Sequence, residues 1–310
     1  MAEDAADAGW FRDVDPGDTD AARDAIERGS ADEPRDWPAR AVDAGFAAGE
    51  DEYYGLLHDA TVDATREAVR ERERADDRQL IHAVRALDDA ERTANELAER
   101  AVEWGASLLD DVPAGVEGAR VLAARDPDGP AAERAVALAG RAAGLADEAD
   151  DLRRFVERRA PSVAPNLAEM AGPVLAARLI ALAGGLESLA RKPSGTVQVL
   201  GAEDALFAHL AGAAPSPKHG VIYAHEAVRG TRPEDRGSAA RALAGKLTIA
   251  ARIDHYAGEY RPGVHADLSE RMATIRARAS EDDGDAAPGS GTGSDPDRDG
   301  ADGGAGEGDA

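Results

Sequence analysis

The chain has 310 residues, 61 Asp plus Glu against 36 Lys plus Arg, no cysteine and a formal charge of −25. The absence of cysteine excludes disulfide scaffolds, thiolate zinc sites, iron–sulfur clusters and cysteine nucleophiles. The length suits about two to three compact units, and so negative a charge opposes the phosphate neutralisation that duplex binding requires.

Met1-Ala2-Glu3-Asp4 lacks the basic-then-apolar pattern of a secretory leader. The expectation is a cytoplasmic chain. Residues 1–70 scatter Trp10, Phe11, Trp37, Phe46, Tyr53 and Tyr54 among Pro, Gly and Asp. They read as a small packed α/β domain, short strands plus a helix.

Residues 71–164 read as a long antiparallel coiled-coil hairpin. Its first helix carries Leu80, Val84, Leu87, Ala90, Ala94, Leu97, Ala101, Trp104 and Leu108 on one face. A connector rich in Pro and Gly, Asp110 to Gly129, separates it from the second helix. There Leu138, Ala142, Leu145, Ala149, Leu152 and Val156 form a heptad seam. An Ala-rich seam buries little area per residue, so the hairpin is expected to pair with a second copy. Leu80, Val84, Leu87, Leu97, Leu138, Leu145 and Leu152 are the expected dimerisation residues.

Residues 165–278 change character after Pro161 and Pro165. Short apolar helices at 167–183, 203–211 and 235–257 describe a compact all-helical domain. The apolar stretch Ala171 to Leu186 contains Arg178 and is short for a bilayer span, so no membrane partner is expected. The tail, 279–310, is Gly, Asp, Ala, Ser and Pro, and its composition reads as disordered. Gly289-Ser290-Gly291-Thr292-Gly293 within it is a linker, since it follows no strand and opens no helix. The whole is mainly α.

Charge is unevenly spread. Residues 1–160 carry a net −19, residues 161–280 a net +3 and residues 281–310 a net −9. Only Lys192, Lys218 and Lys246 are lysines among the 36 basic residues. That bias, with abundant Ala, Gly, Asp and Glu, resembles the composition of salt-adapted archaeal proteins. In such a chain acidity serves solubility, and the positive middle segment becomes informative.

Four blocks lie in that segment. They are Pro165 to Gly185, Pro193 to Phe207 (with Gly201-Ala202-Glu203-Asp204-Ala205-Leu206-Phe207), Pro217-Lys218-His219-Gly220-Val221-Ile222-Tyr223-Ala224-His225, and Arg236 to Asp254. In this order they closely resemble the Nop domain of archaeal box C/D ribonucleoprotein core proteins. Asp77 to Trp104 resembles the family's first coiled-coil helix more weakly, and residues 1–70 only loosely.

The resemblance implies a non-catalytic scaffold of the complex that directs 2′-O-methylation of ribosomal or transfer RNA. The Nop domain would hold a box C/D guide RNA with a kink-turn-binding protein. The N-terminal domain would hold fibrillarin, which would bind S-adenosylmethionine; the chain itself would need no cofactor. The coiled coil would self-associate. The alternative is an acidic helical coiled-coil adaptor without direct RNA binding.

RNA helices are read mainly by shape, backbone and unstacked bases. Candidate contacts to RNA or partner are Gln198, Gly201, Ala202, Glu203, Leu206, Phe207, Lys218, His219, Arg236, Arg241 and Lys246. Gly201-Ala202 places small residues at a helix start, where free N–H groups suit phosphate. Leu206 and Phe207 fit either the core or a contact, and His219 either a structural histidine or a contact. Lys246 lies about 140° around the helix from Arg241, and Arg252, beside Asp254, fits either an internal ion-pair partner or an RNA contact.

Three departures from the family pattern each make the expected RNA surface more acidic or less basic: Asp204 for the usual Lys, Glu226 for a frequent Pro, and Glu234, Asp235 and Ser238 where aromatic and basic residues are usual. His209, His219 and His225 match no zinc signature, and no metal is expected.

Overall fold

The computed structural model describes residues 9–31 and 33–285, and every regular element among them is a helix. The N-terminal unit comprises α1 (Thr19–Arg28), α2 (Trp37–Asp43) and α3 (Glu50–Arg74). Asp18 and Asp36 cap the first two by accepting from Ala21 N–H and Ala39 N–H.

The strands expected here are absent among the described residues. The aromatics come as Trp10-Phe11, Trp37, Phe46 and Tyr53-Tyr54, at turns or helix starts, so no alternating apolar run exists to build a sheet face. Phe11, Phe46 and Tyr53 are instead buried in one cluster, with Trp10 and Trp37 against it. Trp10 Nε1–H donates to the Tyr53 hydroxyl at 3.2 Å. Arg23 reaches Asp63 at 3.6 Å and ties α1 to α3.

The hairpin consists of α4 (Asp76–Ala106) and α6 (Pro130–Val163). Its connector is not a plain break: α5 (Gly115–Ala123) folds back onto both helices. Gly118 in the connector and Gly105 at the end of α4 are close-approach points, whereas Gly115 and Gly129 hold φ +70 and +91 with open space around them. A Cβ on Gly105 would lie 2.4 Å from Leu122 Cδ2, and one on Gly118 would lie 1.7 Å from the Pro113 carbonyl oxygen.

The seam of α6 is Ala132, Ala135, Ala139, Ala142, Ala149, Val156 and Ala160. Ala142, Ala149 and Val156 hold the seam positions expected of them, whereas Leu138, Leu145 and Leu152 are half-buried on its edge. On α4 the seam continues through Ala94, Ala98, Ala101 and Gly105, leaving Leu97 half-buried and Trp104 and Leu108 exposed. Small side chains let the two axes approach closely.

Leu80, Ile81 and Val84 of α4, with Val156 and Ala160 of α6, belong to the same core as the C-terminal domain. Leu87 is buried against Ala90 and Ala149. Leu80, Val84 and Leu87 are thus consumed inside one chain, which corrects their assignment to a surface for a second copy.

The C-terminal domain follows as α7 (Pro165–Ala171), α8 (Pro173–Ala183), α9 (Leu186–Arg191), α10 (Ser194–Val199) and α11 (Glu203–Leu210). A 3₁₀ turn (Val221–Ala224), α12 (Glu226–Arg229), α13 (Arg236–Tyr256) and α14 (Gly263–Asp285) complete it. The expected helix over 167–183 is broken at Gly172, at φ +81, and the halves bend by 117°. That pair is largely buried core, and among the described residues no single helix is long and apolar enough to cross a membrane.

α14 continues through Asp285, so residues 279–285, assigned to a disordered tail, are helical. The rest of the tail, with Gly289 to Gly293, lies outside the described residues.

Polar bonds lock domain to hairpin. Arg178 on α8 grips Asp88 on α4 through Nη2 at 2.5 Å and Nε at 3.0 Å. Asp77 accepts from Leu186 N–H at the start of α9.

Candidate nucleic-acid interface

The site is built on a backbone clasp between the end of α10 and the loop that leads into the 3₁₀ turn. Gly220 N–H donates to the Gln198 carbonyl at 2.9 Å, and Val221 N–H donates to the Leu200 carbonyl at 2.7 Å. The Gln198 side chain reinforces it by donating to the Lys218 carbonyl at 2.7 Å. Gln198 therefore positions the Lys218 loop. Two glycines permit the approach. Gly201 holds φ +80, with room for a Cβ only at 3.3 Å from Leu182 and Val221. A Cβ on Gly220 would lie 2.0 Å from the Leu200 carbonyl oxygen.

The clasp presents α11 to solvent. This helix has no buried residue; Phe207 is 66% and Leu210 72% exposed. Phe207 is thus not core, and Leu206 is half-buried. The start of α11 differs from the expected phosphate cradle. Glu203 Oε1 accepts from Gly201 N–H at 2.9 Å, and Asp204 adds a second carboxylate in the first turn. The helix dipole there is already served by the chain's own acids. Ala202, the N-cap residue, is half-buried and offers no side-chain cap.

The other side of the clasp leads into a cationic and aromatic patch. His219 stacks on Tyr223, centroids 4.6 Å apart and planes at 23°. The Arg236 guanidinium lies 5.5 Å from the Tyr223 ring centroid and donates to the Thr231 carbonyl. The stem of Lys218 passes about 3.8 Å from where a Gly237 Cβ would be. Burial pushes the His219 imidazole below its ordinary pKa, and the nearby Arg236 and Lys218 charges act in the same direction. His219 is therefore a neutral stacking and hydrogen-bonding group at pH 7, not a third cation. Lys218, Arg236 and Arg241 form no ion pair among the described residues.

The other candidates separate from this patch. Lys246 is paired with Asp267 of α14 at 2.8 Å. Arg252 does not pair with Asp254; its Nε donates to the Ala190 carbonyl. His209 Nδ1 lies 3.0 Å from the Ala214 carbonyl oxygen, and His225 Nε2 3.0 Å from that of Met170. The three histidines hold separate local structures, and no metal-holding group of three or more His, Asp and Glu side chains occurs among the described residues. Tyr223, Gly220 and Leu210 are the residues that sequence reasoning missed. Tyr223 stood in a quoted block, but only the fold stacks it between His219 and Arg236.

The family described as snoRNA binding domain, fibrillarin (Nop) matches residues 77–274. A NOP5 family protein of Methanocaldococcus jannaschii is 33% identical over 272 residues, covering 76% of this chain and 66% of its own length. Nucleolar protein 56 of Saccharomyces cerevisiae is 31% identical over 225 residues, covering 59% of this chain and 45% of its own. Nucleolar protein 58 of Coccidioides immitis is 30% identical over 215 residues, covering 57% and 35%. The chain therefore spans between about a third and two-thirds of the length of these relatives. A crystal structure of a fibrillarin/Nop5p complex contains a chain of TM-score 0.50 and 25% identity, the match covering 82% of this chain and 92% of that one. The matched segment includes nearly all of the hairpin and the whole clasp, and the chain belongs to the Nop family.

Proposed function

We propose that the chain is the non-catalytic scaffold of a box C/D guide ribonucleoprotein that directs RNA 2′-O-methylation. The C-terminal domain binds guide RNA together with a kink-turn-binding protein, and the N-terminal unit docks fibrillarin. The observation that carries this reading is the composite surface. Lys218 and Arg236, which form no ion pair among the described residues, lie with Tyr223 on one side of the clasp, and the clasp also leads into α11 with its solvent-exposed Phe207 and Leu210, all on the one net-positive segment of an acidic chain. Cations serve backbone phosphate, and the apolar helix serves a protein neighbour or an unstacked base.

Neither half of that surface is large, so affinity for RNA alone is expected to be weak and to rise sharply with the partner. Gel-shift titration of a guide RNA at molar KCl, with and without the kink-turn-binding protein, tests this. Equal binding in both arms overturns the composite site. Fibrillarin pull-down by the intact chain and by one lacking residues 1–70 tests the N-terminal assignment; retention by the shortened chain overturns it.

Self-association belongs to the same proposal. With Leu80, Val84 and Leu87 buried, the surface left for it is the distal hairpin, where Trp104 and Leu108 are exposed and Leu138 and Leu145 half-buried.

A further inference from the structure

Lys218, Arg236 and Arg241 form no ion pair among the described residues, in a chain of net charge −25. Lys218 and Arg241 are exposed and Arg236 is half-buried. Gly237 lies against the Lys218 stem, and Arg241, four residues further along α13, shares that face one turn away. The acids beside Arg236 in sequence are engaged elsewhere: Glu234 and Asp235 pair with Arg232 at 3.4 and 3.1 Å. α14 returns antiparallel along α13. Lys246 meets Asp267, and Arg241 lines a cavity of about 570 Å³ together with Arg271 and Thr274. In that register Arg236 stands level with about residue 277, and Asp285 lies roughly 12 Å beyond it at 1.5 Å per residue. The chain therefore leaves α14 at the end of the domain that carries Arg236.

We propose that residues 286–310 dock on the Lys218, Arg236 and Arg241 surface of their own chain, and must be displaced before that surface takes RNA. The segment is divided by charge. Ala286 to Ser294 carry none; Asp295, Asp297, Asp299, Asp302, Glu307 and Asp309 follow, with Arg298 as the one base, a net −5. The uncharged part is nine residues of Gly, Ser, Ala, Thr and Pro. At 5–6 Å times the square root of the residue number it reaches about 15–18 Å, enough to return from Asp285 to Arg236. A tether of that length holds the acidic part at an effective concentration on the order of millimolar. Asp295, Asp297 and Asp299 stand two residues apart, about 6.6 Å in extended chain, and so present a row of anions as an RNA backbone does. The segment has no aromatic and no large apolar side chain, so it competes for the cations alone. RNA held only by charge is excluded by it, whereas guide RNA with its kink-turn-binding protein gains contacts beyond charge and displaces it. The competition rests on the RNA-binding reading; the docking does not.

The test is carbodiimide coupling of the full-length chain, which joins a carboxylate to a lysine amine at ion-pair distance. Lys192, Lys218 and Lys246 are the only lysines, and the Lys246–Asp267 pair is an internal control. Without RNA, at about 0.15 M KCl, where the Debye length is about 8 Å, mass spectrometry of the digest is expected to find Lys218 joined to the acids of 295–309. At about 1 M KCl, where that length is about 3 Å, the yield of this product is expected to fall about fivefold or more. The control product without the Lys218 product overturns the docking. So does a product at Lys192 as abundant as that at Lys218. Mixing chains of heavy and ordinary nitrogen decides the copy, and products that join the two isotopes overturn docking within one chain. Guide RNA with the kink-turn-binding protein is expected to abolish the Lys218 product. A product undiminished in that complex overturns the competition and leaves the docking standing. A native chain that gives the product but binds no guide RNA overturns the RNA reading and the competition together.

Discussion

Asp254 shows how one residue closes the C-terminal domain. It is 7% exposed, and its carboxylate accepts from Asn166 N–H, Asn166 Nδ2–H and Leu167 N–H at 2.7 to 3.0 Å. Asn166 in turn accepts from Arg261 N–H at 2.6 Å. Asp254→Ala leaves three buried donors unsatisfied and is expected to cost on the order of 3 kcal/mol; urea unfolding with an unchanged m-value checks it. His225 gives a pH prediction. Burial depresses its pKa, against the opposing pull of the Met170 carbonyl and Glu226. Its Nδ1 accepts from Ala227 N–H, so Nε2 carries the proton toward Met170. The unfolded chain therefore binds more protons below the ordinary histidine pKa, and stability falls as pH drops below about 6.5. His225→Gln is expected to flatten that fall between pH 7.5 and 5.5 in the same assay. These roles lay in quoted sequence blocks but were not legible there. Asp254 and Asn166 are separated by most of a domain in sequence, and only the fold shows that Lys246 is already neutralised by Asp267 while Lys218 forms no ion pair among the described residues.

The elements were read unevenly, for physical reasons. Long helices with a sustained apolar period were found in the right places, because α4 and α13 bury one face throughout. Half of the α6 seam was read correctly, at Ala142, Ala149 and Val156; the other half was assigned to Leu138, Leu145 and Leu152, because Ala and Leu both repeat at heptad spacing there and hydrophobicity favoured the leucines. Close packing favours alanine on the inside, with leucine at the rim. The connector helix α5 was missed because Gly115 and Gly118 read as breakers, whereas Gly115 opens the helix at positive φ and Gly118 packs against Pro113. The expected strands of residues 1–70 came from aromatics that cluster between an N-terminal turn, α2, the loop after it and α3. The clasp yields the prediction at this scale. Gly220 has an ordinary negative φ of −112, so its need is steric rather than conformational. Gly220→Ala forces a Cβ against the Leu200 carbonyl and must open the clasp, at about 1–3 kcal/mol of overpacking. The displaced Lys218 loop should also weaken ternary assembly with RNA and the kink-turn-binding protein. A variant that is destabilised yet assembles with native affinity would show that the clasp does not position the interface.

At the scale of the whole molecule, hairpin and C-terminal domain are one folding unit at their junction and separate beyond it. Removing the hairpin from residue 76 onward would strip Leu80, Ile81, Val84, Val156 and Ala160 from the domain core, and loss of self-association in such a chain would only report unfolding. The distal cluster offers a cleaner cut. Ala98, Ala101, Ala119, Leu122, Ala139 and Ala142 form a separate apolar cluster around α5, while Leu87, Ala90 and Ala149 mark the next layer inward. The two helix axes in such a seam run about 8–10 Å apart, a gap that a four-residue glycine linker spans at roughly 3.3 Å per residue. Replacing residues 94–146 by that linker retains the shared core, the Arg178–Asp88 lock and the Lys218 patch. The shortened chain is expected to keep a cooperative thermal transition and native RNA affinity with the kink-turn-binding protein. Its mass by light scattering should fall to that of a single chain. A folded, RNA-binding product that still scatters as a multimer would place self-association elsewhere, on the N-terminal unit or the C-terminal domain.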